Sequence, residues 1–468
     1  MIVLAISIGL SIGLLTWFYT KRNKYNVSPT VTFKEAKELP VQPRDFLIKA
    51  QKRYGDHFTV NALLYKFRFY VGSGAALKIY RDYEEYLDFD RGANMLIGPV
   101  LGGIKFFNCS NEIYKSRNIA IISSIRKGKN MIQEQLIDEL DEIFKGWCEK
   151  EIINIVYEAQ TTVARINLRA FVGKENVAKY VDMIRDDYLA IEESGFSMIS
   201  LLFPWLPFGD PAKTKRLYIK LTNAFRDIVQ KRLNYPHDQP SDLLDLILIN
   251  SKSIPSDQHM DYVITILHIM FMAGNASTVS TYIWMILHLI DSPIHKDKLI
   301  EKLVEIRNND IDSRMPIQLQ DILECKYIDH CIKESMRTKF LYTRPTLVLK
   351  DFKIDNYDYP AGSLLCISTL MHNLDPTIFT DPYKFNPDRW ENGNLPYNTD
   401  LLFGYGAHRC RGEFFALQGL KTAFSMLFLN YNLSFHDNNP SFPECEWPGN
   451  SLSPVPKNSK FLIRITPK

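Results

Sequence analysis

The sequence has no surplus of charge of either sign: 56 lysines and arginines stand against 53 aspartates and glutamates, a net +3. That balance leaves no nucleic-acid signature. Paired cysteines are also missing. Cys109, Cys148, Cys325, Cys331, Cys366, Cys410 and Cys445 form no C-x-x-C and no even framework. This argues against a zinc site or a disulfide scaffold and fits a reducing compartment. Internal repeats and low-complexity tracts are absent, and no linker divides the chain. Length alone suggests about three domains, whereas the missing linker favours one large domain. A hydrophobic share of 46% is enough for a substantial core.

What is present begins with residues 2–19, IVLAISIGLSIGLLTWFY, an uncharged run followed by Lys21, Arg22 and Lys24. It is long enough to cross a bilayer as a helix. The cations follow the apolar run, and no A-x-A site comes after it, so the reading is a retained anchor over 1–20 and not a cleaved signal. The positive-inside rule then leaves the rest cytosolic. Pro29, Pro40 and Pro43 mark a linker over 21–43, with the main domain over 44–468. Apolar spacing predicts a helix over 44–54 ended by Gly55. Residues 58–71, rich in aromatic and β-branched side chains, predict a strand pair; from Gly72 onward most of the chain reads helical. The loop 195–210, GFSMISLLFPWLPFGD, is apolar enough to dip into a membrane.

The stretch that organises the chain is FGYGAHRCRG, from Phe403 to Gly412, followed by the helix-like run EFFALQGLKTAFSMLFL. Cys410 sits before a helix N-terminus, where free amide N–H groups and the helix dipole favour a thiolate. Gly406 and Gly412 are expected to allow tight turns and close approach to something flat. His408 and Arg409 are expected to supply cationic or donor groups at the rim. A stable thiolate, donors near the sulfur and partners for anionic propionates are what a haem iron requires of a cysteine ligand.

Residues 261–290 predict a long helix with no charge after Asp261, whose middle reads Gly274-Asn275-Ala276-Ser277-Thr278. A helix apolar all round belongs in the centre of a large protein or in a membrane. The small polar patch favours the first, with Gly274 opening space and Ser277 or Thr278 bonding back to a carbonyl. Over 328–340, Glu334 and Arg337 lie three apart on one helix face. With Arg389 of FNPDRW they are expected to form a buried carboxylate–guanidinium network that braces the cysteine loop.

The set F-x-x-G-x-H-x-C-x-G, E-x-x-R, P-D-R-W and A-G-N-A-S-T resembles the cytochrome P-450 family over nearly all of the chain beyond the anchor. The resemblance implies a mainly α fold with small β-sheets, a single large domain behind a transmembrane anchor. It implies haem b held between the central helix and the cysteine-bearing helix, with Cys410 on the iron and Phe403, Gly406, His408, Gly412 and Gly274 around the ring. It also implies electrons from NADPH-cytochrome P-450 reductase docking on a basic face, with cytochrome b5 as a second partner, an endoplasmic reticulum membrane location and a lipophilic substrate. The stretch 99–102 with Asn111, together with FNPDRW and GEFFALQGLKT, is similar to sterol 14α-demethylases and the neighbouring bile-acid and prostanoid enzymes.

Departures from the family pattern matter here. Ile113 replaces the Trp of Trp-x-x-x-Arg, leaving Arg117 as the propionate candidate. Phe107 stands where the demethylases have Tyr, and no Pro-Pro follows E-x-x-R. Ala276 takes the place of the usual acid, and Ser277 that of the Thr. Ser277, with Thr278 beside it, then becomes the proton donor for dioxygen activation. The expected activity is insertion of one oxygen atom from dioxygen into a lipid, a sterol for instance. Two other readings stay open: a P-450-type isomerase or dehydratase of lipid hydroperoxides or endoperoxides, and a non-catalytic haem-dependent lipid binder.

Overall fold

The computed structural model describes residues 25–62, 65–98, 111–308, 319–339, 343–391, 395–396, 399–406, 409–447, 453–457 and 460–468. The anchor run 2–19 with Lys21, Arg22 and Lys24, the stretch 99–102, Phe107 and His408 lie outside these residues.

Helices make up most of the described chain, and short strands gather at its edges. The largest sheet runs β1 (His57–Ala62), β2 (Tyr65–Tyr70), β8 (Leu364–Ser368), β5 (Thr343–Val348) and β3 (Leu87–Asp88) in that spatial order. The predicted strand pair is the β1–β2 hairpin, with His57 opposite Tyr70. β2 lies parallel to β8, and β5 antiparallel to β8 with Arg344 opposite Ile367. Side chains alternate across this sheet. Phe58, Phe69 and Cys366 pack with Phe46 on one face, while Tyr70, Leu365 and Ile367 pack with Tyr80 on the other. β4 (Ile152–Asn154), β12 (Leu462–Pro467) and β9 (Tyr431–Phe435) form a three-stranded sheet. β6 (Phe352–Ile354) pairs with β7 (Tyr357–Tyr359), and β10 (Cys445–Glu446) with β11 (Val455–Pro456). The helical reading beyond Gly72 therefore missed the strands between 343 and 368. They are three to six residues long, too short to show a clear period.

The helix expected over 44–54 spans Pro43–Tyr54, with Pro43 in its first turn and Gly55 leaving it at φ 83°. The central helix spans Ser256–Asp291. It ends because Ser292, at φ −124° and ψ 79°, precedes Pro293, which disfavours helical geometry in the residue before it. Helices Ile155–Val172, Gly209–Asn234, Lys326–Lys339 and Glu413–Asn430 pack against it. Tyr262, Phe271, Tyr282, Ile283 and Leu287 are buried along its length, so it behaves as a core helix.

Near its C-terminal half the central helix is pinned to the end of the chain. Ser280 Oγ and Trp284 Nε1 both donate to the Pro454 carbonyl, at 2.7 and 2.8 Å, and both side chains are buried. Trp284→Ala removes a large core side chain and one of those donors, and is expected to lower stability by about 3–5 kcal/mol. Trp284→Phe should lose less, since the ring volume is mostly kept and Ser280 still serves the carbonyl. Denaturant unfolding of both variants checks this.

Candidate active site

The cysteine loop is shaped by two glycines in the left-handed region, Gly404 at φ 77° and Gly406 at φ 69°. Cys410 N–H donates to the Phe403 carbonyl at 2.8 Å and Arg409 N–H to the Gly406 carbonyl at 3.2 Å, closing the loop on itself. A side chain on Gly406 would also bring its Cβ to 3.0 Å from Glu84 Oε1. Gly412 differs from expectation: its φ is −91°, and a Cβ there would meet nothing within 4 Å. It caps helix Glu413–Asn430 without needing the freedom of glycine, and Gly404 performs the second tight turn instead.

The charges around the sulfur also depart from the first reading. Cys410 is exposed as a residue. Even so, the protein packed around its sulfur desolvates the thiol and, with Glu413, pushes its pKa up. The amide N–H groups of Gly412 and Glu413 and the cation of Arg409 pull the other way without winning. Arg409 is not a rim cation for a ligand, because Glu413 one turn on takes its guanidinium at 2.6 and 2.7 Å. A thiol that coordinates a metal cation is deprotonated outright, whatever the helix terminus contributes.

Opposite chemistry lies in the central helix. Residues 272–278 are seven consecutive positions that keep partial exposure, between Phe271 and Val279, which are buried. Gly274, Ser277 and Thr278 all fall in this window. Nothing but Asn167 Nδ2, at 3.6 Å, approaches the space a Cβ on Gly274 would take. Ser277 Oγ bonds back to the Ala273 carbonyl at 3.4 Å, and Thr281 Oγ1 to the Ser277 carbonyl at 2.8 Å. On either side of the window the core reaches the cysteine-bearing helix. Phe271 and Phe415 both touch Phe171, with ring centroids 5.0 and 5.1 Å away, and Tyr282 touches Phe424 at 5.1 Å.

Glu334, Arg337 and Arg389 meet in one buried network. The Glu334 carboxylate accepts from Arg337 Nε and Nη2 at 2.9 and 2.8 Å and from Arg389 Nε at 2.9 Å. Asn386 N–H and Trp390 Nε1 add bonds of 3.0 and 2.9 Å. Arg337 Nη1 holds the Asn373 and Pro382 carbonyls, both at 2.7 Å. Among the described residues the network makes no hydrogen bond to the cysteine loop. It reaches toward it through His372, next to Asn373, whose Nε2 lies 3.0 Å from the Thr399 carbonyl just ahead of the loop.

Arg117 is buried on helix Asn111–Lys150. Near it the structure places a residue the sequence reading passed over, Arg344. Its guanidinium is buried, lies over the rings of Phe89 and Tyr80 at 4.5 and 5.1 Å, and makes no hydrogen bond or ion pair among the described residues. Both arginines act on Asp90, whose carboxyl burial and Asp88 nonetheless push up to about 6. Tyr80 in turn stacks with Tyr405 of the cysteine loop, centroids 6.2 Å apart. A cation at the inward parity of a strand was the available signal, invisible until T-R-P-T-L-V was seen to be β5.

The family model for Cytochrome P450 matches residues 29–462. The chain belongs to the cytochrome P450 family. It is thus an oxidoreductase of the monooxygenase type, in a family whose cofactor is a haem iron. Lanosterol 14-alpha demethylase of Bos taurus is 24% identical over 425 residues, 89% of this chain and 83% of that protein. Lanosterol 14-alpha demethylase of Candida tropicalis is 24% identical over 450 residues, covering 89% and 85%. A solved structure of a retinoic acid-bound cyanobacterial CYP120A1 shares the fold, with a TM-score of 0.79, 17% identity and coverage of 95% of this chain and all of the other.

In this P450 the residues present fit a haem. Arg344 Nε, Tyr80 Oη and Thr346 Oγ1, on one side of the sheet, are buried polar atoms with no partner among the described residues. An anionic carboxylate is the group such donors lack. Glu334→Ala would strand Arg337 and Arg389 without their carboxylate. It is expected to cost about 3–5 kcal/mol, the usual loss on breaking a buried ion pair. The check is a lower unfolding midpoint of the apoprotein together with reduced haem retention.

Proposed function

We propose that this chain is a haem b-dependent monooxygenase that inserts one oxygen atom from dioxygen into a lipophilic substrate, a sterol or a lipid of similar size. The observation that carries this reading is the window at 272–278, a run of mostly small, partly exposed positions between the buried Phe271 and Val279 of the central helix. When bound, the haem supplies the iron centre that activates oxygen. Cys410 would hold the iron through its sulfur, presented by the loop that Phe403 and Gly406 shape, and His408 and Gly412 are the further motif positions that would contact the ring. Arg117 and Arg344 receive its carboxylates. Gly274 leaves room beside the helix, and Ser277 Oγ, with Thr278 adjacent, holds the proton to be delivered. Ala276 carries none, so Ser277 must turn its hydroxyl out of the bond to Ala273. The network of Glu334, Arg337 and Arg389 keeps the segment before the loop in register. The demethylase names of the relatives support a sterol-like substrate.

Electrons come, in this reading, from an NADPH-cytochrome P450 reductase, with cytochrome b5 as a second donor. Arg126, Lys127 and Lys129 are exposed on the helix that Gln133, Gln418 and Thr422 lock to the cysteine-bearing helix. Such a cationic patch steers an acidic partner. The anchor at 1–20 would hold the enzyme on the cytosolic face of the endoplasmic reticulum. A second contact is the loop of 195–210, where Ile199, Phe203, Trp205 and Phe208 are 51%, 40%, 68% and 66% exposed. So large an apolar patch favours a lipid surface.

The reduced, carbon monoxide-bound protein should show a red-shifted Soret band, and Cys410→Ala should abolish it; a band that survives the substitution defeats the ligand assignment. Turnover should require NADPH and reductase. Efficient conversion of a lipid hydroperoxide without either would favour an isomerase instead. Ser277→Ala should leave the spectrum intact while product formation falls roughly 10²-fold, the scale of losing a positioned proton donor. In vesicles containing brominated lipid, Trp205 fluorescence should be quenched, and Trp205→Phe should remove that quenched component.

A further inference from the structure

Away from the haem site, two nucleophilic side chains meet in an unusual setting. Lys339 ends the helix Lys326–Lys339, and its ammonium lies over the rings of Trp284 and Phe442 at 4.1 and 4.6 Å. Its hydrogen-bond partner among the described residues is a sulfur, Cys445 Sγ at 3.5 Å. No carboxylate among the described residues lies within ion-pair distance of it. A second cation faces the same thiol: Arg44, whose Nη1 is tied to the Thr338 carbonyl at 2.8 Å, interacts electrostatically with Cys445. Burial lowers the pKa of Lys339, while Cys445 and the more distant Asp291 act the other way. Cys445 is half-buried on β10, whereas Cys325, Cys331 and Cys366 are buried.

We propose that Cys445 and Lys339 form a peroxide-responsive pair that closes a covalent sulfur–nitrogen bond. The thiolate is the form of a cysteine that reacts with oxidants. The thiolate attacks hydrogen peroxide. A sulfur–oxygen bond forms, the oxygen–oxygen bond breaks, and hydroxide leaves as water after taking a proton; sulfur is oxidised and the peroxide reduced. The neutral Lys339 amine, its proton lost to solvent, then attacks the sulfenic sulfur. A sulfur–nitrogen bond forms, the sulfur–oxygen bond breaks, and the oxygen departs as a second water. The aromatic walls of Trp284 and Phe442 hold the amine in place for this step. The sulfenamide ties the last turn of the Glu334-bearing helix to β10, and a dithiol reductant reverses it by attacking the sulfur and releasing the amine.

The test treats the haem-loaded full-length protein with hydrogen peroxide, digests it with trypsin and reads the peptides by mass spectrometry. The expected product joins the peptide bearing Lys339 to the one bearing Cys445, lighter than their sum by two hydrogens, with cleavage after Lys339 lost and dithiothreitol restoring both. Lys339→Arg keeps the cation but cannot form the bond. Cys445 sulfenic acid, trapped by a 1,3-dione probe, should therefore rise several-fold over the native chain. Oxidation of Cys445 without the joined peptide overturns the proposal. So does oxidation of half-buried Cys148 as fast as Cys445. Should Lys339→Arg not fold, the native protein's joined peptide and its Cys445-to-Cys148 comparison decide alone.

Discussion

Glu334 has a carboxylate with no solvent exposure, and the structure around the E-x-x-R helix is arranged to satisfy it. Taking a charge out of water costs several kcal/mol unless partners replace the lost hydration. Arg337 supplies two donors from the next turn, and the segment from Asn386 to Trp390 supplies the rest. The unused donors of the arginines must themselves be met, and they fasten the carbonyls of Asn373, Thr380 and Pro382. One buried charge thus determines the path of a stretch of chain that leads, through His372 and Thr399, to the cysteine loop. Its gain is in geometric specificity more than in net stability.

The cysteine loop and the central helix divide the chemistry between them. The loop presents Cys410 from a backbone closed by Phe403 and turned by Gly404 and Gly406. Arg409 is paired with Glu413, and two further cations, Arg117 and Arg344, are buried deeper in the fold. The helix keeps its hydrogen-bonded path while small side chains open a window in one stretch of it. Ser277 retains a hydroxyl there, stored against the Ala273 carbonyl. A hydroxyl held in that way must rotate before it can donate elsewhere.

Much of the fold class was legible because it rests on local patterns. The cysteine loop, the E-x-x-R spacing and the uncharged central helix each lie within one short segment, where spacing alone constrains geometry. The helix after Pro43 and the β1–β2 hairpin followed from their own residues. Strands β5 to β8 were not legible, since their few residues owe their conformation to partners far along the chain. Arg344 was missed with them. A glycine in a motif says nothing about its φ: Gly412 does not take the left-handed turn expected of it, and Gly404 takes one that was passed over.

The sequence by itself determined the chemistry on offer: a cysteine before a helix, a hydroxyl at Ser277 where no acid stands, and a carboxylate with two arginines at set intervals. These are properties of residue type and local spacing. Only the tertiary structure decided how those groups are used. It engaged Arg409 with Glu413, set the buried Arg344 over the rings of Phe89 and Tyr80 and packed protein around the Cys410 sulfur so that its pKa rises. It also set Lys339 against Cys445 across 106 positions of chain. Burial and long-range pairing control desolvation and charge, and neither leaves a period in the sequence.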